Sequence, residues 1–187
     1  MSHKDVTNRA SSLSPTSLQA KESMNNNVTT SAQELRYTIL ALQRQGNRHL
    51  AGILRTIELT PPQAEAMEIL DSYGPMTTQD VGRHMLCESG SPSRILAALA
   101  RKGLTIRSRP EEDKRATLHS LTQAGQAKMQ DIHAVEAEFT NRFLDSLMTH
   151  FDSIDEVEPT IRILTKLVSD PALREALRLR FPHLKNV

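Results

Sequence analysis

Basic side chains are concentrated in one part of this chain. Residues 83–115 contain eight Lys or Arg residues and four acidic residues, a net charge of +4, whereas the whole chain has a formal charge of only +1. Residues 131–158 contain eight acidic residues and one Arg, a net charge of −7. A local excess of cations on an otherwise balanced protein is typical of a surface that binds a polyanion. These residues therefore predict recognition of phosphates and hydrogen-bond acceptors.

The best-placed donors lie in a segment that begins at Ser91-Pro92, a cap followed by a favourable first helical residue, and ends at Gly103. Its apolar residues share one face, and its small residues and arginines share the other. A helix in the major groove of DNA needs such an outer face, because small residues permit close approach and arginines donate to guanine or phosphate. We predict that this face contacts DNA through Ser91, Ser93, Arg94, Ala97 and Arg101.

A shorter helix precedes this segment. The run Thr77-Thr78-Gln79-Asp80 is typical of a capping box, and a short turn that contains Gly90 leads into the next helix. Two helices joined in this way form a helix-turn-helix, whose second helix enters the major groove. Hydroxyls and free N–H groups at the helix starts favour phosphate oxygens, and this predicts contacts from Thr77, Thr78, Gln79 and Ser89.

The period of apolar residues falls from 3.6 to 2 after Gly103. The segments LTIRSR and ATLHSL alternate apolar and polar residues, and the charged segment PEEDKR separates them. This pattern predicts a β-hairpin, the wing of a winged helix, with cations that lie against the DNA backbone or in a narrow minor groove. The predicted wing residues are Arg107, Arg109, Asp113, Lys114 and Arg115, of which Asp113 would orient an arginine by a charge-assisted hydrogen bond.

Long amphipathic helices flank the helix-turn-helix and the hairpin. One stripe runs from Leu35 to Ile57, and another follows Thr122, which is a predicted helix cap. The first 31 residues are rich in Ser, Thr and Asn and lack a sustained period, which indicates disorder. The predicted organisation is a disordered tail, an N-terminal dimerisation helix, a DNA-binding lobe and C-terminal dimerisation helices, at 1–31, 32–58, 59–122 and 123–187.

The predicted fold class is mainly α with a small β component: a winged helix-turn-helix core with a two-stranded wing. Hydrophobic residues make up 38% of the chain, but aromatic residues only 3%, which suits a core built from helices.

Four segments together resemble the winged-helix core of the multiple-antibiotic-resistance regulator (MarR) family: LTPPQAEAMEIL, GPMTTQDVGRHM, GSPSRILAALARKGL and RSRPEEDKRATLHSLTQAG. The resemblance covers about 59–126 and implies a bacterial homodimer that binds a palindromic operator, usually as a repressor. The single cysteine and the lack of a membrane-length apolar run predict a cytoplasmic protein, which as a DNA-binding protein would be nucleoid-associated. It also implies release by a small-molecule effector or by cysteine oxidation, with Arg94 reading DNA and Arg115 serving the wing. The sequence departs from the family pattern at Pro92, at Val81-Gly82 and across Met85–Glu88.

Other functions are weakly supported by the sequence. The chain lacks a phosphate-cradling glycine loop, a nucleophile elbow and a recognisable catalytic pair of carboxylates, so we expect no enzyme. The seven histidines have no metal-ligand spacing, and we expect no metal and no cofactor. No apolar run approaches the roughly 20 residues that a membrane helix needs. Residues of an effector site cannot be named from the sequence.

Two alternatives remain open. Cys87, the single cysteine, lies just before the predicted recognition helix, where oxidation could displace that helix, although a buried structural role fits the sequence better. The basic surface could also dock on an acidic protein partner. The retained wing cations favour DNA over a protein partner.

Overall fold

A computed structural model of the protein describes residues 15–87, 90–109 and 116–183. The chain divides into two units between Gly46 and Asn47. Helix α1 (Pro15–Leu54) supplies the structure of the first unit and continues into the second. The prediction of disorder over 1–31 therefore fails for 15–31, which are helical, and 1–14 lie outside the described residues. Ser14-Pro15 is the same cap-plus-proline signal as Ser91-Pro92, and it was missed here.

The second unit contains the remaining elements. A 3-10 turn (Arg55–Ile57) ends α1, and the chain continues with α2 (Pro61–Tyr73), β1 (Met76–Thr77), α3 (Thr78–His84), α4 (Pro92–Arg101), β2 (Thr105–Ser108) and β3 (Leu118–Leu121). Helix α5 (Gln123–His150), a 3-10 turn (Ile154–Glu156), α6 (Val157–Leu167) and α7 (Pro171–Arg180) complete it. The predicted order of elements is confirmed, but α7 has 10 residues, longer than the expected one or two turns.

Local signals set the helix boundaries. Helix α2 begins with Pro61 after Thr60, whose N–H donates to Gln63 Oε1 at 3.3 Å. It ends at Gly74, whose φ of 80° terminates the helix. Thr122 Oγ1 accepts from the N–H of Gly125 at 3.0 Å and so caps α5, as predicted.

The sheet has three antiparallel strands in the order β1-β3-β2, one strand more than the predicted wing. Strands β2 and β3 form the hairpin, with Thr105 opposite Leu121 and Ser108 opposite Leu118. The short β1 pairs with the other edge of β3 and places Met76 opposite His119. Because β1 leads directly into α3, the sheet fixes the start of the helix-turn-helix.

One hydrophobic core holds the second unit together. Its fully buried side chains come from the end of α1 and from α2, α3, α4 and α5: Leu54, Met67, Val81, Leu96, Leu99 and Ile132. Gly125, in the first turn of α5, lies so near the Leu104 backbone that an added Cβ would stand 2.1 Å from the Leu104 carbonyl oxygen. This close approach explains why the segment RSRPEEDKRATLHSLTQAG ends in a glycine.

Several helices keep apolar side chains on their surfaces. The exposed residues on α1 include Leu35, Ile39 and Leu42, which belong to the predicted dimerisation stripe. The second half of α5 and α6 also expose large apolar side chains, and these are Phe143, Leu144, Met148, Ile161, Ile163, Leu164 and Leu167. A protein that remained a single chain would leave this apolar surface in water. Among the described helices, none is long and apolar enough for a membrane crossing.

Candidate nucleic-acid interface

Helix α4 presents the predicted DNA-contacting residues on its outer face. Ile95, Leu96 and Leu99 are buried in the core, so the opposite side of the helix faces outward. Ser91, Ser93, Arg94 and Arg101 are exposed and Ala97 is half-buried, as the helical period requires. Within the described residues, the guanidinium groups of Arg94 and Arg101 have no hydrogen-bond or ion-pair partner. Both are therefore available to acceptors on another molecule.

The serines at the start of α4 interact with each other. The two hydroxyl oxygens of Ser91 and Ser93 lie 3.1 Å apart, and the side chain of Ser91 makes no capping hydrogen bond within its own helix. Pro92 has no N–H, and the N–H of Arg94 donates to the Ser91 carbonyl oxygen at 2.9 Å. The N–H of Ser93 and the two hydroxyls beside it are therefore the groups of this helix start that suit a phosphate oxygen.

Helix α3 supports α4 and begins beside the sheet. Thr77 Oγ1 accepts from the N–H of Asp80 at 3.1 Å, which confirms the predicted cap. Thr77 and Thr78 are half-buried, whereas Gln79 is exposed. The Oγ1 of Thr78 also lies 3.0 Å from His119 Nε2 within the lobe, and its contact with a phosphate stays a prediction.

Helices α3 and α4 pack closely at one point. A Cβ added at Gly82 would stand 2.9 Å from Cγ of Pro92. Two of the departures from the family pattern, Gly82 and Pro92, therefore lie against each other: the missing side chain leaves room for the proline ring. This contact fixes the spacing between the two helices of the motif.

The described part of the wing adds two cations. Arg107 and Arg109 are exposed, and Arg107 stands opposite His119 in the ladder between β2 and β3. Three further predicted wing residues, Asp113, Lys114 and Arg115, lie outside the described residues, as does Ser89 in the turn before α4. The helix-turn-helix and the base of the wing thus present cations from two elements of one lobe.

His119, which the sequence did not single out as a site residue, links the wing to α3. Its side chain is buried, with Thr78 as its neighbour. Burial and the nearby Arg107 cation lower the pKa of His119 below its usual value, so the imidazole is neutral at neutral pH. The neutral ring joins two elements of the interface without adding a charge.

Glu65, also missed, holds the turn before α4. This carboxylate is buried on α2, and its two oxygens accept from the backbone N–H groups of Leu86 at 2.7 Å and Cys87 at 2.9 Å. The available sequence signal was a single charge within the apolar run Ala64-Glu65-Ala66-Met67. A buried carboxylate needs such donors to offset its lost hydration.

Cys87 is half-buried next to that carboxylate. Burial, and then the nearby negative charge of Glu65, raise the pKa of the Cys87 thiol to about 12. The reactive form of cysteine is the thiolate, which is scarce at neutral pH when the pKa is this high. The structural role of Cys87 is therefore favoured over the redox role.

A cavity of about 240 Å³ is lined by residues of α2, α3, α5 and α7. Its walls include carboxylates, imidazoles and a phenol, from Glu68, Tyr73, His84, His133 and Glu136. Burial and the neighbouring Glu136 raise the pKa of Glu68 to about 8, although Arg180 opposes the shift. In the described parts of the chain, no three side chains of the metal-binding types converge on one point.

Three features together define a winged-helix DNA-binding protein. They are a buried helical scaffold, an outward donor face on the second helix of a helix-turn-helix, and a basic hairpin beside it. Comparison with known proteins agrees with this class. The family described as "Winged helix DNA-binding domain" matches residues 59–125.

Relatives identify the family, and a solved structure shows the same fold. The chain is 30% identical to the HTH-type transcriptional regulator MhqR of Bacillus subtilis over 98 residues, 51% of this chain and 68% of that protein. It is 29% identical to the organic hydroperoxide resistance transcriptional regulator of Bacillus subtilis over 92 residues, 49% of this chain but only 63% of the relative's length. A putative MarR-like transcription regulator from Bacillus cereus shares the fold with a TM-score of 0.62 and 18% identity, over 73% of this chain and 95% of that one.

The chain belongs to the MarR family of winged-helix DNA-binding proteins. The relatives named above are transcriptional regulators, and the chain spans about two thirds of the length of each of them.

Proposed function

We propose that this protein is a homodimeric repressor that binds a palindromic operator and responds to a small-molecule effector. The observation that carries the proposal is the outer face of α4, where Arg94 is exposed and unpaired among the described residues, close to the uncapped start of the helix. In such a position Arg94 reads a guanine edge, while Ser91, Ser93 and the start of the helix hold phosphates. Arg101, Arg107 and Arg109 add phosphate contacts on either side.

The exposed apolar residues of α1, α5 and α6 support a homodimer. A second copy of the chain would cover these faces with the same faces of its own, as twofold symmetry requires. Two recognition helices related by a twofold axis read two inverted half-sites about 10 base pairs, or one helical turn, apart. A palindromic operator is the DNA that matches this symmetry.

The cavity between α2, α5 and α7 supports an effector. Its walls include His84 of α3 and residues of α2, which packs against α3 and α4, so an occupant would contact the scaffold of the recognition helix. A ligand alters DNA binding only when it binds the two conformations of the protein with different affinity. We propose that the effector binds the conformation in which the two recognition helices no longer fit successive major grooves.

Binding of DNA by the wild-type protein and by Arg94→Ala tests this proposal. Duplexes selected from a randomised pool supply the preferred site, and a scrambled duplex of equal length supplies the comparison. We expect dimeric wild-type protein to prefer the selected site, with log K falling linearly with log salt. Arg94→Ala should lower affinity for the selected site about 10- to 100-fold and relax selectivity at one base pair of each half-site.

Arg178→Ala is the matched control, because Arg178 is an exposed arginine on α7 that pairs with Glu175 of its own helix. It should leave both affinity and selectivity unchanged. Equal selectivity of Arg94→Ala and wild-type protein would refute the role of Arg94. Equal binding of wild-type protein to all duplexes would refute the proposed function and favour a partner other than DNA.

A further inference from the structure

The C-terminal helix α7 is attached to the DNA-binding lobe. Ala176 on this helix is 1% exposed, and the Tyr73 hydroxyl at the end of α2 donates to the carbonyl oxygen of Leu179 at 3.0 Å. Helix α7 lies outside residues 59–125, which match the winged-helix family. It nevertheless packs against α3, the first helix of the helix-turn-helix.

Arg180, the last residue of α7, joins two carboxylates of α2. Its Nη1 lies 3.3 Å from Glu65 Oε1, and its Nη2 lies 2.8 Å from Glu68 Oε2. The side chains of Glu65 and Glu68 are 7% and 13% exposed, whereas that of Arg180 is 34% exposed. A planar guanidinium suits this position, because two of its nitrogens reach two acceptors at once.

The same Glu65 carboxylate also holds the backbone of Leu86 and Cys87, which lead towards α4. A continuous set of polar contacts therefore runs from α7 through Arg180 and Glu65 to the turn before the recognition helix. Without the guanidinium, Glu65 would keep its two backbone donors but lose the cation that balances its buried charge.

We propose that Arg180 is a positioning residue for DNA binding: it holds Glu65 in the orientation that fixes the Leu86–Cys87 turn and thereby the position of α4. This role rests on the proposed function of α4 as the recognition helix. Arg180 acts through Glu65 and does not touch DNA. The C-terminal helix thus determines how well α4 fits a selected site.

Arg180→Gln and Arg180→Lys test this role, with Arg178→Gln as the control on the same helix. DNA binding is measured well below the unfolding temperature, across a salt series, on the selected and scrambled duplexes. We expect Arg180→Gln to weaken binding to the selected site about 10-fold. Binding to the scrambled duplex should change much less, and Arg178→Gln should match wild type on both.

Two further measurements separate positioning from other roles. The slope of log K against log salt should stay the same in Arg180→Gln, because a lost phosphate contact would lower it by about 1. Hydrogen exchange should become faster at the amides of Leu86 and Cys87. Arg180→Lys keeps the charge but cannot bridge both carboxylates in the same geometry, so it should restore only part of the selectivity.

A double-mutant cycle with Glu65→Gln completes the test. If Arg180 acts through Glu65, the two substitutions should affect DNA affinity less than additively. A lower unfolding temperature with unchanged selectivity and unchanged amide exchange would overturn the proposal and leave Arg180 a purely structural role. Wild-type protein without selectivity would refute the proposed function itself, whereas selectivity that survives Arg180→Gln would refute only the role of Arg180.

Discussion

Substitution of Gly82 by alanine should destabilise this protein, although the same change stabilises most helices. Gly82 lies inside α3, where alanine is favoured over glycine by about 1 kcal/mol. The new Cβ would stand 2.9 Å from Cγ of Pro92, whereas carbon atoms in favourable contact are about 3.5–4.0 Å apart. Overpacking of this kind costs about 1–3 kcal/mol. The net expectation is a loss of about 1 kcal/mol in the free energy of unfolding.

The sign should reverse when the proline ring is removed. In a Pro92→Ala background the close contact is absent, so Gly82→Ala should stabilise the protein by about 1 kcal/mol. Gly52→Ala is the matched control, because Gly52 lies in α1 with nothing within 4 Å of an added Cβ. That substitution should be stabilising in either background.

Urea denaturation at a fixed protein concentration measures these differences, since the stability of a dimer depends on concentration. The interaction energy of the Gly82→Ala and Pro92→Ala pair should be about 2 kcal/mol. Stabilisation by Gly82→Ala in the wild-type background would refute the reasoning, because the contact between α3 and α4 would then impose no restraint on residue 82.

Two further predictions concern ionisable groups. The pKa of Glu68 is raised to about 8 in the folded protein, so the folded state holds this proton more tightly than the unfolded state, for which 4.5 is the reference. The free energy of unfolding should therefore fall as pH rises from about 4.5 to 8, with a limiting slope of about 1.4 kcal/mol per pH unit. Glu68→Gln should flatten this dependence. An unchanged slope in the variant would contradict the assignment of the raised pKa to Glu68. The pKa of Cys87 is about 12, so iodoacetamide should alkylate the native protein far more slowly than the urea-unfolded chain, which supplies the control. Equal rates in the two states would show that the thiol is accessible and ionised in the folded protein.

Features with short-range causes were predictable from the sequence. Thr77, Thr122 and Gly74 mark the ends of helices because caps and terminators act within one helical turn. The inward face of α4 followed from the helical period alone. The alternation on both sides of the PEEDKR segment predicted the hairpin, although its tip lies outside the described residues.

Two predictions from the sequence were wrong, one for a local reason and one for a long-range reason. The Ser, Thr and Asn content of residues 1–31 suggested disorder, but Ser14-Pro15 and the helix formers Leu18, Gln19, Ala20, Lys21 and Glu22 agree with the helix that begins at Pro15. The third strand of the sheet was missed because β1 has only two residues and exists by pairing with β3. A strand of two residues is too short to show the alternation of apolar and polar residues that identifies a strand in a sequence.

By itself, the sequence determined the class of this protein: the helix order, the helix-turn-helix, the basic wing and the outward position of Arg94. These features depend on helix capping, on the period of apolar residues and on charge, and each of these signals can be recognised within ten or fewer residues. Contacts between residues far apart in the chain depend on the tertiary structure. His119 meets Thr78 across 41 residues, and Arg180 meets Glu65 across 115, in a geometry that packing alone creates. Residues so far apart in the chain leave no local pattern, because their contact is a property of the folded core.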